Sequence, residues 1–226
     1  MVEFESDGVA GRGHFAPAEG GGPGVIVIQE WWGLVPTITR MCDRFAAAGF
    51  SAIAPDLYNG ASASTAEPDE AGKLMMALNV SQAAAAMGAA IDFLLADDAV
   101  TSSGVGVVGF CMGGGLALVL ACRRPDIVDA CAPYYGLIPW NDAQPDWSTL
   151  EAPVHGHYAE RDGMFSPAAV AELSSTLESL GKDAEFTIHT GCDHAFVNDD
   201  RPEVYNEAEA EVALAETFAF FRSTLS

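Results

Sequence analysis

Short, continuous apolar runs, each followed by a stretch with helical spacing, limit what this chain can fold into. Val25 to Glu30 (VIVIQE) follows the turn-forming Gly20 to Gly24, and an unbroken apolar run of this kind marks a strand covered on both faces. Residues 36–50 then carry Ile38, Met41, Phe45 and Ala48 at helical spacing and stop at Gly49. The pattern repeats with strands at 51–58, 104–110, 128–136, 153–160 and 184–190. The intervening helices are expected at 68–96, 113–124, 167–180 and about 202–222, with exposed loops at 61–66 and from 137 to 151. Alternation of this kind predicts an α/β fold: a mainly parallel, doubly wound sheet with helices on both faces.

With 226 residues, half of them hydrophobic, the chain can bury one large core, so a single domain over 1–226 is expected. No run approaches the roughly 18–20 uninterrupted apolar residues of a membrane helix. The acidic beginning, MVEFESDGVA, lacks the basic region and apolar segment of a secretory signal. A soluble, cytoplasmic protein is the expectation, with no membrane partner. The net charge of −22, with Lys73 and Lys182 the only lysines, argues against nucleic acid, whose backbone is bound by clustered cations. Cys42, Cys111, Cys122, Cys131 and Cys192 form no C-x-x-C pair and share no ligand spacing with the histidines. Neither a disulfide framework nor a metal site is expected.

Gly104, Gly106 and Gly109 match a dinucleotide-binding G-x-G-x-x-G. That fingerprint needs its glycines at the turn after a strand, whereas these lie inside one, so no such cofactor is expected. The next residues carry a different signal. Gly109-Phe110-Cys111-Met112-Gly113 has the form of a nucleophile elbow, with a thiol in place of the usual hydroxyl. The small neighbours let strand and helix meet at a sharp turn, and the helix N-terminus favours a thiolate and an oxyanion, with the Met112 N–H as a donor. An inert buried thiol fits the same five residues.

The partners come in the order nucleophile, acid, histidine. Asp162 follows the strand at 153–160 and His194 follows the strand at 184–190, so all three reach carboxyl ends of parallel strands, where open α/β sheets build their sites. His194 can then take the thiol proton, Asp162 can orient the imidazole, and Cys111 can attack an acyl carbon. Glu160 and Asp193 are competing acids. Among the histidines, His155, His157 and His189 fall within strands and read as structural, and His14 lies near the N-terminal end, away from the other elements.

With these residues in view, the chain resembles the dienelactone hydrolase (carboxymethylenebutenolidase) family of the α/β-hydrolase fold. The resemblance rests on QEWWGL at 29–34, PDLY at 55–58, GFCMGG at 109–114, YYG at 134–136, ERDGMF at 160–165 and DHAFVND at 193–199, in order along nearly the whole chain. It implies a Cys111–His194–Asp162 triad and no cofactor. It also places Glu30 beside the thiol, where it helps to generate the thiolate, and gives the Trp31 N–H a share of the oxyanion hole with Met112. A carboxylate walled by Trp31 and Trp32 should have raised proton affinity. Trp32 and Tyr135 are expected to line an apolar pocket for a small ester or lactone. Tyr134 and Phe196 read as core.

The chain departs from the family where a substrate carboxylate is held. Dienelactone-cleaving members use an arginine after the PDLY segment and another just past the histidine. Here no arginine occurs from Asn59 to Cys122, and Asn198 stands four residues past His194, with Arg201 as the nearest candidate for contact with substrate. Hydrolysis is therefore better supported than dienelactone as substrate. Two rivals stay open: a thioesterase or acyl-transfer enzyme on the same triad, and a non-catalytic protein of this fold that binds a small ligand.

Overall fold

The computed structural model describes residues 1–140 and 143–225, so positions 141 and 142 of the expected 137–151 loop lie outside the described residues. In chain order the elements are β1 (Val2–Ser6), β2 (Val9–Ala16), β3 (Gly22–Ile28), α1 (Pro36–Ala47), β4 (Ser51–Pro55), α2 (Pro68–Ala77), α3 (Val80–Leu95), β5 (Val100–Phe110), α4 (Met112–Arg123), β6 (Val128–Tyr134), β7 (Val154–Ala159), α5 (Pro167–Ser179), β8 (Ala184–His189) and α6 (Glu207–Thr224). All eight strands form one sheet in the order β1-β2-β4-β3-β5-β6-β7-β8. From β4 to β8 every neighbouring pair is parallel, and β1 and β2 add an antiparallel edge.

The apolar runs are buried as their composition demands. Val25, Ile26, Val27 and Ile28 are wholly inaccessible on both faces of β3, and α4 is buried over its whole length from Met112 to Cys122. α1 and α6 meet where Phe45 packs edge-on against Phe218 at 5.0 Å. Among the described residues no single helix is long and apolar enough to cross a membrane. Gly104, Gly106 and Gly109 lie within β5, inside the sheet and short of the helix, as the sequence reading requires.

Three features differ from the sequence expectation. The long helix over 68–96 is two helices, α2 and α3, meeting at 87°. Leu78 is extended and the Asn79 side chain accepts hydrogen bonds from the N–H groups of Ser81 and Gln82, both at 3.0 Å, which caps a new helix start. The last helix begins at Glu207 and not near Pro202, again behind an asparagine cap, Asn206. The first sixteen residues form the β1–β2 hairpin, turning at Asp7 and Gly8, both with positive φ. His14 therefore does not lie apart from the other elements: it sits in β2 against β4, with Nε2 3.1 Å from Asp43 of α1.

Candidate active site

β3 pairs with β4 on one side and β5 on the other, so the loops leaving β3 and β5 diverge and open a crevice at their carboxyl ends. Glu30, Trp31 and Trp32 follow β3 into that crevice, and Cys111 stands between β5 and α4. Cys111 has φ 55° and ψ −119°, a conformation costing a non-glycine residue about 1–3 kcal/mol. The surroundings hold it there. Its N–H donates to the Tyr134 carbonyl at 3.0 Å, and its own carbonyl accepts from the Gly114 N–H at 2.9 Å. The flanking glycines are required sterically: a Cβ on Gly109 would fall 2.0 Å from the Gly113 carbonyl oxygen, and one on Gly113 would fall 2.5 Å from the carbonyls of Ile28 and Gln29. Helical N–H groups of the first turn have no intrahelical acceptor, and Met112, next to Cys111 in the chain, is at N1.

Asp162 lies just past β7 and His194 past β8, and the sheet order brings both to the same edge as Cys111. Asp162 is 5% exposed. Its Oδ1 accepts from the N–H groups of Met164 and Phe165 at 2.8 and 2.9 Å, and its Oδ2 accepts from His194 Nδ1 at 2.7 Å. The competing acids are engaged elsewhere: Glu160 accepts from the Gly191 N–H at 2.8 Å, and Asp193 from Arg161 at 2.8 Å. Burial pulls the His194 proton affinity down, but the hydrogen bond to Asp162 and the nearby Cys111 sulfur outweigh it and lift the imidazole to about 10. His194 Nε2 is buried without a hydrogen-bond partner among the described residues, and His194 and Cys111 line the same cavity.

Glu30 is 2% exposed beside this pair. Burial raises its proton affinity above the ordinary carboxylate range, opposed by the His194 charge and by hydrogen bonds from Asn198 and Tyr135. Asn198 Nδ2 donates to Glu30 Oε2 at 2.7 Å and Tyr135 Oη donates to Oε1 at 3.3 Å. Tyr135, expected as pocket lining, lies behind the wall instead. It is 1% exposed and packs edge-on against the His194 ring at 5.2 Å, because its hydroxyl is drawn inward to the buried carboxyl. Tyr134 and Phe196 are wholly buried, as core. Asn198 has no charge to advertise it, and only its spacing from His194 singled it out.

The crevice forms a cavity of about 470 Å³ that reaches Glu30, Trp31, Trp32, Cys111 and His194. Trp32 is on its wall, packed edge-on against Trp31 at 5.0 Å. Arg201 is there too, its Nε donating to Glu203 at 2.9 Å, together with Arg161 and Met164, which sequence reasoning did not select. Both arginines thus meet a carboxylate of the chain's own. Away from the cavity, the ligand atoms of His155, His157 and Glu216 converge closely enough to hold a metal ion. A thiol and an imidazole on one cavity, helix-start N–H groups and a buried carboxylate–histidine pair are the kinds of group that acyl transfer uses.

Comparison with known proteins gives the family. Residues 12–225 match the family model described as the dienelactone hydrolase family. The chain is 39% identical to Protein usf of Aquifex pyrophilus, over 100% of this chain and 99% of that one. It is 35% identical to a protein of Aquifex aeolicus (strain VF5) provisionally named carboxymethylenebutenolidase, over 100% and 98% of the two chains. A crystal structure from Klebsiella pneumoniae, provisionally named dienelactone hydrolase, superposes with a TM-score of 0.85 at 26% identity, covering 98% of this chain and 97% of the other.

Proposed function

The chain belongs to the dienelactone hydrolase family of the α/β-hydrolase fold, and from that premise we propose that it cleaves small esters or lactones through an acyl-enzyme on Cys111. The observation that carries this reading is the buried Asp162–His194 pair, 2.7 Å between Oδ2 and Nδ1, on the same cavity as Cys111. Cys111 passes its proton to His194 Nε2, and the thiolate attacks the substrate carbonyl carbon. The oxyanion is received by the N–H groups of Met112 and Trp31. As the tetrahedral adduct collapses, the C–O bond breaks and the imidazolium protonates the leaving alkoxide, leaving a thioester. Water, deprotonated by His194, then cleaves the thioester and frees the carboxylic acid. Glu30, as the carboxylate, is proposed to help draw the proton from the thiol. No step calls for a cofactor or metal.

The cavity favours an uncharged substrate over a carboxylate-bearing one. Arg201 and Arg161 are each paired with an acid, and Asn198 is committed to Glu30. A screen of p-nitrophenyl esters, thioesters and lactones, run beside Cys111→Ala, tests the reading. Turnover that vanishes in the variant is expected, and undiminished turnover would sink the thiol mechanism. A preference for thioesters would move the assignment to the acyl-transfer alternative.

A further inference from the structure

A second set of chemically capable side chains lies behind the active site, between β7, β8 and α6. His157 is wholly buried there, and its ring stacks on that of His155 at 4.9 Å. The hydrogen bonds around it leave little freedom in where its protons sit. Tyr134 Oη donates to the Ala213 carbonyl at 2.9 Å, which uses its one proton. The 2.6 Å contact between Tyr134 and Thr217 must then be a bond donated by Thr217. With that hydroxyl proton spent, the 3.2 Å contact between Thr217 Oγ1 and His157 Nε2 is donated by the imidazole, so a neutral His157 has a bare Nδ1.

The same reasoning applies to its neighbour. His189 Nδ1 donates to the Glu209 carboxylate at 2.8 Å, so a neutral His189 has a bare Nε2. These two bare nitrogens face one another at 3.1 Å. Glu216 Oε2, buried and without a hydrogen-bond partner, is a further lone-pair oxygen 3.8 Å from His157 Nδ1. Lone pairs turned on each other without a donor require a positive charge among them, either a proton or a metal ion.

We propose that His155, His157 and Glu216 bind a divalent transition-metal cation of the zinc class, with His189 or water completing the shell. The three ligand atoms lie within 4.8 Å of one another. Zinc with ligands at about 2.0–2.2 Å needs them roughly 3.4 Å apart, a closure that the partly exposed His155 and Glu216 side chains can supply by small rotations. Two imidazoles and one carboxylate are a donor set that zinc accepts and that calcium or magnesium does not favour. The surrounding bonds have the form of an outer shell: Glu209 fixes the tautomer of His189, and Thr217 that of His157. Bound there, the ion ties α6 to the sheet. The absence of a metal expected from the sequence rests on the spacing of the cysteines and histidines, whereas Glu216 is far from His155 and His157 in the chain and only the packing of α6 on β7 unites them.

The full chain carrying Cys111→Ser, stripped with a chelator, is titrated with Zn²⁺ by calorimetry, so that the active-site thiol does not compete. One saturable equivalent is expected, standing above the weak, non-saturating background of a surface this acidic. His155→Ala and Glu216→Gln, at partly exposed positions, should each weaken it by about tenfold or more. X-ray absorption on the zinc-loaded wild-type chain answers without a variant: an imidazole-containing nitrogen and oxygen shell is expected. Absence of a saturable equivalent, affinity unchanged in both variants, or a shell of sulfur or of oxygen alone would overturn the proposal.

Discussion

Asp162→Asn tests the proposed triad because the structure dictates how the new amide must sit. Oδ1 of Asp162 accepts two backbone N–H bonds, from Met164 and Phe165 at 2.8 and 2.9 Å, and an amide NH₂ placed there would face two donors. The asparagine carbonyl therefore keeps that position and its NH₂ turns toward His194 Nδ1. That nitrogen must then become an acceptor, which moves the imidazole proton to Nε2, facing the thiol. His194 then cannot take the thiol proton while neutral. In wild type the imidazole is held at about 10 against an ordinary 6.5, a difference worth about 5 kcal/mol between its protonation states, to which the hydrogen bond to Asp162 is the largest favourable contribution. Losing that partner and inverting the tautomer should lower kcat/KM by about 10³–10⁴. The assay is turnover of the best ester from the screen, with iodoacetamide alkylation of Cys111 at neutral pH as a second readout of thiolate. Activity within tenfold of wild type and an unchanged alkylation rate, in a variant of native circular dichroism, would refute the assignment.

The same raised His194 affinity has a consequence for stability. Its contribution is complete below the unfolded imidazole's ordinary value of 6.5 and is lost as pH rises toward about 10, so Tm should fall across that window, and less steeply in Asp162→Asn. A wild-type Tm that climbs there, or identical slopes in the two proteins, would contradict it. Glu30→Gln should shift the pH dependence of Cys111 alkylation, because a buried carboxyl that titrates beside the thiol is replaced by one that does not, and an unchanged profile would leave Glu30 structural. Gly136→Ala puts a Cβ 1.9 Å from the Cys111 carbonyl oxygen, where only backbone can yield. A loss of about 1–3 kcal/mol, seen as a lowered Tm, should come with displaced nucleophile geometry and reduced turnover, and a variant with wild-type Tm and rate would show the elbow to be softer than its packing implies.

The parts of this fold that could be read in the sequence are those where local chemistry and global position agree. Val25 to Ile28 reads as a doubly covered strand because it is one, and Cys111, Asp162 and His194 fall together because each stands just beyond a strand whose carboxyl end a parallel sheet must present on one edge. What escaped were short signals working against a stronger average. The alanines at 83–86 favour helix so strongly that they mask the break before them, which Asn79 marks with two capping bonds. Asp7-Gly8 is a hairpin signal of equal clarity, but the strands it joins sit at the sheet's edge and are only partly buried, so their pattern is weak.

Tyr135 and Asn198 show where sequence reasoning about the site stops. An aromatic next to a candidate triad looks like pocket wall, yet its place depends on where its hydroxyl finds a partner, and that partner is Glu30, more than a hundred residues earlier in the chain. Asn198 reaches the same carboxyl from the other direction, while its Oδ1 accepts from Thr37 at 3.3 Å and from the Asp200 N–H at 3.0 Å. One buried acid thus draws together the loops after β3, β6 and β8, two of which also carry proposed site residues. A change at any of its partners should alter the setting of Glu30 before it alters the thiol itself, so Asn198→Ala should affect the pH profile of Cys111 alkylation in the way Glu30→Gln does. An Asn198→Ala profile that matches wild type, where Glu30→Gln differs from it, would separate the two and confine Asn198 to holding its own loop.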